Sequence, residues 1–154
     1  MERKTDAESR EPERQPKLEN QLCFPLYACA RKIVNLYTPY LRKSGITYTQ
    51  YLVLMVLWEQ DGIPVGDLCR RLYLDCGTMT PLLKNLEKAG FLSRSRSRED
   101  ERVVRVQLTE RGKAMRSAIG DIPSCVGQSV PLNAAEAGEL YRLLYKILNA
   151  EPGR

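Results

Sequence analysis

Residues 75–108 read DCGTMTPLLKNLEKAGFLSRSRSREDERVVRVQL. Asp75 is a good N-cap, and Cys76 to Ala89 carries Met79, Leu82, Leu83 and Leu86 at helical spacing before Gly90 closes the run. Phe91, Ser93, Ser95 and Ser97 then alternate with Leu92, Arg94, Arg96 and Arg98. Val104, Val106 and Leu108 alternate with Val103, Arg105 and Gln107. Two period-two runs around a charged tip predict a β-hairpin directly after a helix.

Upstream, Val65 to Tyr73 reads as a short helix with Val65, Leu68, Cys69 and Leu72 on its inner face. Two short helices joined by a few residues predict a helix-turn-helix, and the hairpin behind them makes it a winged one. Ile63-Pro64-Val65 can supply a bridging strand. Thr47 or Tyr48 starts a helix through Gln60, whose core YLVLMVLW (51–58) is the longest apolar run. It is far short of the roughly 18 residues of a membrane span. Leu18 to Lys43 carries helical spacing, with Pro25 in the first turn, Pro39 expected to bend or break it, and Ser44-Gly45 ending it. Thr109 caps a helix placed broadly at Glu110 to Gln128, with distortion expected at Gly120 and Pro123. A last helix starts at Pro131-Leu132-Asn133, with Leu140, Leu143, Leu144, Ile147 and Leu148 on one stripe.

The expected fold class is mainly α with a small β-hairpin wing: a winged helix-turn-helix with a helical dimerisation region. Residues 1–17 read as a disordered charged tail, alternating acid and base with Pro12 and Pro16. Residues 18–150 read as one domain, with the winged helix at about 48–108 and dimerisation helices at about 18–43 and 110–149. These flanking helices cannot bury their apolar faces on so small a module, so a homodimer is expected.

The 154 residues are 43% hydrophobic and carry a formal net charge of +5, with a pI near 9.0. That balance favours an anionic partner, nucleic acid or a lipid surface. The N-terminus has no apolar h-region, and the five cysteines accompany no histidine. An odd cysteine count without a signal argues for a reducing, cytoplasmic setting and against a disulfide framework. The cysteine spacings match no zinc pattern, and no cofactor or metal is expected. Any chemistry must use a thiolate, tyrosines, or nothing.

The helix at 76–89 opens with small polar residues, Gly77, Thr78 and Thr80, and its first lysine is Lys84. Small residues permit close approach to a major groove, and hydroxyls reach base edges or phosphates. Pro81 falls where loss of an N–H is expected to cost little. On the hairpin, Arg94, Arg96 and Arg102 are candidate DNA contacts. Arg102 is expected to enter the minor groove, with Asp100 holding its guanidinium. The plain alternative is a solvated, charged hairpin.

The stretches QLCF, TYTQYLVLMVLWE, LYLDCGTMTPLLKNLEKAG and REDERVVRVQLTERG together resemble the MarR superfamily, and within it the organic hydroperoxide resistance regulators. The resemblance covers roughly Leu18 to Leu148. It implies a dimeric winged-helix repressor of inverted-repeat double-stranded operator DNA, induced by organic hydroperoxide. It also implies that Cys23 is the peroxide sensor and that Tyr27, Tyr37 and Tyr48 supply phenols that hydrogen-bond the sulfur. Phenol donors favour the thiolate, the form that attacks an O–O bond, and no histidine is then needed. Some members trap the oxidised sulfur with a second cysteine in the fifth helix, the region of Cys125. A low-molecular-weight thiol is the other route. Cys29, Cys69 and Cys76 read as packing residues, with Cys76 the most exposed. Two rivals stand beside this reading. One is a repressor released by a reversible aromatic ligand. The other is a thiol peroxidase, disfavoured because residue 20 is asparagine rather than a threonine three places before the reactive cysteine.

Overall fold

The computed structural model describes residues 17–150, so the expected charged tail lies, but for Lys17, outside the described residues. A 3-10 turn at Leu18–Asn20 precedes α1 (Cys23–Arg42), α2 (Tyr48–Glu59), β1 (Ile63–Pro64), α3 (Val65–Arg71) and α4 (Cys76–Lys88). The hairpin follows as β2 (Leu92–Arg96) and β3 (Val104–Leu108), then α5 (Glu110–Ile119), α6 (Ile122–Gly127) and α7 (Ala134–Leu148). The fold is mainly helical with a small three-stranded antiparallel sheet, ordered β1-β3-β2. Ile63 pairs with Val106, and Leu92 with Leu108. Pro64 can donate no ladder hydrogen bond, which suits its place on an edge strand. The chain divides into two units between Lys32 and Ile33.

Caps set most helix starts. Thr47 and Gln50 form a capping box on α2, and Asn133 and Glu136 form one on α7. Thr109 does two jobs at once. Its hydroxyl accepts from Gly112 N–H to cap α5 and donates to the Gly90 carbonyl at 2.6 Å.

The core of the second unit gathers Leu54, Leu57, Leu68, Met79, Leu83, Leu86, Phe91, Leu92 and Val106, all essentially without exposure. Phe91 alone contributes about 2–3 kcal/mol by leaving water. Behind it, α5 approaches so closely that a Cβ on Gly112 would lie 2.0 Å from the Phe91 carbonyl oxygen. The Trp58 indole N–H donates to the Gly112 carbonyl at 2.9 Å on the same helix.

Three expectations change. Pro39 lies inside α1, and the helix runs through it. The expected long fifth helix is two, because Gly120 adopts a φ of 67° and ends α5. Pro123 then sits in the first turn of α6, where its missing N–H has no helical partner to lose. Finally, the regular part of the first helix begins at Cys23 rather than Leu18. Pro25 then falls third in the helix, again among the positions whose N–H is unpaired.

Candidate functional site

The α4 helix is built to present one polar strip. Met79, Leu83 and Leu86 are buried and Leu82 is half-buried, while Thr78, Thr80, Pro81 and Lys84 are exposed. Asp75 fixes the helix start. One carboxylate oxygen accepts from Thr78 N–H and the other from the Thr78 hydroxyl, both at 2.8 Å. These bonds, the backbone one first, hold the Asp75 carboxyl below its ordinary value. The Thr80 hydroxyl donates to the Cys76 carbonyl at 2.8 Å. Both hydroxyls thus have their protons committed within the helix and turn lone pairs outward. Pro81 is sixth in α4, beyond the N-terminal turn, so it does remove a bond, the one Gly77 carbonyl would accept. The expectation that this loss costs little rested on a place near the helix start, and Pro81 lies further in.

On the wing, the arginines divide their work. The Arg94 guanidinium donates twice to one Glu87 oxygen, at 3.0 and 2.6 Å, and the Arg94 backbone N–H donates to the other at 2.9 Å. Arg94 is therefore a strut between β2 and α4, its guanidinium engaged by Glu87 in the free chain. The pair, led by the side-chain hydrogen bond, holds the Glu87 carboxyl low. Arg105 donates to the Gly62 carbonyl at 2.9 Å, and Arg96 to the Glu101 carbonyl at 3.3 Å. Asp100 accepts from the backbone N–H of Arg102 at 2.9 Å. It braces the hairpin turn, not the guanidinium as expected, because its short side chain closes onto the N–H two residues on. Arg102 is exposed, and among the described residues its guanidinium has no carboxylate partner. Sequence reasoning missed Glu87. The available signal was an acid in the last turns of an otherwise basic helix, seven residues before Arg94.

Between α4 and the wing runs a surface groove of about 380 Å³, lined among others by Val65, Cys76, Leu83, Arg94, Arg102 and Val104. The Cys76 sulfur lies 3.5 Å from that of Cys69. Cys69 is buried and Cys76 exposed. Burial, with the hydrogen bond to Cys76 adding to it, pushes the Cys69 thiol up to about 11.

The expected sensor residues fall in both units. In the first, Cys23 is the first residue of α1 and exposed, Tyr27 follows one turn later, and Arg31 lies over the Tyr27 ring at 5.5 Å. In the second, the Tyr37 and Tyr48 rings stand 4.8 Å apart, and Tyr51 joins them at 6.0 Å from Tyr37. Burial raises the titration of all three phenols, so they stay protonated donors at neutral pH. Cys125 is exposed on α6. Among the described residues, no helix is long and apolar enough to cross a membrane.

A helix-turn-helix with a polar outward strip, strutted to an arginine-bearing hairpin, defines a winged-helix DNA-binding protein. Residues 46–104 match the MarR family. The chain is 44% identical over 132 residues to the organic hydroperoxide resistance transcriptional regulator of Bacillus subtilis, covering 86% of this chain and 90% of that one. It is similar to reduced AbfR bound to DNA, with a TM-score of 0.72, 34% identity, and coverage of 85% and 91%. It is also similar to disulfide-formed AbfR, with a TM-score of 0.57 at the same identity and coverage of 84% and 86%. AbfR is a protein of Staphylococcus epidermidis. The chain belongs to the MarR family and is a MarR-type transcriptional regulator, not an enzyme.

Proposed function

We propose that this regulator is a homodimeric repressor that leaves its inverted-repeat operator when an organic hydroperoxide oxidises Cys23. The observation that carries this is an exposed thiol at the first position of α1, in a chain 44% identical to a hydroperoxide-resistance regulator. The Cys23 thiolate attacks one peroxide oxygen, the O–O bond breaks, and an alcohol leaves with a proton. The sulfur, oxidised by two electrons, becomes a sulfenic acid. Tyr27, Tyr37 and Tyr48 are the phenols assigned to the reduced sulfur. Condensation with Cys125 of the second copy, or with a small thiol, then releases water and forms a disulfide. A similar protein, AbfR, has a disulfide-formed state, which supports disulfide formation by either route.

In the reduced dimer, two α4 helices occupy successive major grooves about 34 Å apart. Thr78, Thr80, Pro81 and Lys84 line each groove, while Arg96 and Arg102 reach the flanking backbone and minor groove. The α7 stripe supplies the dimer face: Leu140, Leu143, Leu144, Ile147 and Leu148 are all exposed in the single chain. A protein that works on an operator belongs in the cytoplasm. With one equivalent of cumene hydroperoxide, wild-type protein releases operator in a gel-shift assay and intact mass locates the oxidation at Cys23. Release of Cys23→Ser under the same single equivalent would overturn the proposal. A non-reducing gel distinguishes the resolving thiol, since a dimer band lost in Cys125→Ser assigns it to Cys125.

A further inference from the structure

The helix-turn-helix carries a second thiol pair that the Cys23 chemistry does not use. Cys69 ends the buried face of α3, and Cys76 opens α4 seven residues later. Their sulfurs are 3.5 Å apart, one sealed in the core and one open to the groove of about 380 Å³ below the wing. That groove is walled by Val65, Leu83, Val103 and Val104, with Arg94 and Arg102 at its polar side. It suits an apolar hydroperoxide better than hydrogen peroxide. The turn between the two cysteines is firmly shaped. Leu74 N–H donates to the Cys69 carbonyl at 3.0 Å, and Tyr73 holds a left-handed φ of 52°.

We propose that Cys69 and Cys76 form an intrachain disulfide under excess organic hydroperoxide, and that this link latches α4 in a form that binds operator poorly. It shares with the Cys23 reading only the class of oxidant. The exposed Cys76, as thiolate, attacks the peroxide. The O–O bond breaks, the alcohol leaves protonated, and Cys76 becomes a sulfenic acid. The Cys69 sulfur then displaces hydroxide from Cys76, its own proton leaves with that hydroxide as water, and the S–S bond forms. Two thiols and one peroxide give one disulfide, one alcohol and one water. Because its titration lies near 11, the resting Cys69 is a protonated thiol.

Bonding brings the sulfurs from 3.5 Å to about 2.05 Å. Cys69 is fixed in the core, so Cys76 makes most of the move. Cys76 lies between the Asp75 cap and Gly77, at the tip of the helix meant for the major groove. Drawing it toward α3 disturbs the Asp75–Thr78 bonds that aim that tip. Operator lying on α4 would cover Cys76, so the latch closes on released protein and keeps it off.

The test uses the full chain. Wild-type protein is treated with excess cumene hydroperoxide, blocked with N-ethylmaleimide, cut with trypsin and mapped by mass spectrometry. A linked Cys69–Cys76 peptide pair, lost on dithiothreitol treatment, is expected. In parallel, Cys23→Ser is compared with its own reduced state. The expected result is about a tenfold loss of operator affinity under excess oxidant, restored by dithiothreitol and absent in the Cys23→Ser/Cys76→Ser double variant. Finding both cysteines alkylated after oxidation overturns the proposal. So does a linked pair with operator affinity within twofold of the reduced state. Neither result bears on the single-equivalent test of Cys23, so the two readings fail separately.

Discussion

Arg94 and Arg102 sit on one hairpin and do different work. Arg94 spends its charge on Glu87, whereas Arg102 keeps its guanidinium exposed. Arg102→Ala is therefore expected to weaken operator binding several-fold and to lower the salt slope of log affinity by about one. Fluorescence-anisotropy titration across a salt series checks this, and thermal stability should not move. Arg94→Ala should do the reverse at first instance. It costs about 1 kcal/mol or less of stability, because the ion pair is only partly buried. The pH dependence has a definite sign. The Glu87 carboxyl is held low in the folded state, so its stabilisation is complete above the ordinary glutamate value of about 4.3. It is lost as pH falls through the lower folded value. Urea midpoints of wild type and Arg94→Ala should differ at pH 7 and converge in acid. The arginine-rich hairpin was legible in the sequence, but the division of labour was not. It depends on a glutamate in another element, and spacing alone does not say which of several arginines it faces.

Among elements, α5 makes a close approach to the backbone between α4 and β2. Gly112 there is a matter of space, since a methyl group would meet the Phe91 carbonyl oxygen at 2.0 Å. Gly112→Ala is expected to cost about 2–3 kcal/mol, the scale of overpacking a rigid site. Differential scanning calorimetry should show a clear drop in midpoint, and an unchanged midpoint would refute the close approach. Most of the helices, the bridging strand and the hairpin were legible because period and cap agree: Thr47, Asp75, Thr109 and Asn133 each cap where the apolar rhythm changes. Prolines were less legible. Pro39 interrupts nothing visible in α1, whereas Gly120 with its left-handed backbone divides what reads as one long helix. A proline removes one bond, which a long helix survives. A residue at positive φ turns the chain itself.

Taken as a whole molecule, the chain has more apolar surface than it covers. Among the described residues none of α7 is buried, although its apolar positions repeat at helical spacing. Leu143→Glu with Ile147→Glu is expected to give a monomer by analytical ultracentrifugation and to remove operator binding, while circular dichroism still reports the winged-helix unit. A dimer of that variant would refute the role given to α7. The candidate sensor was legible only in part. The motif around Cys23 stands out in the sequence, but its partners come from separated segments and, in the proposed dimer, from two chains. In the proposed dimer the uncovered last helix would also tie folding to mass action. The midpoint of thermal unfolding should climb as the protein is concentrated. In a cell the copy number of this chain would then set how long each copy survives its proteases.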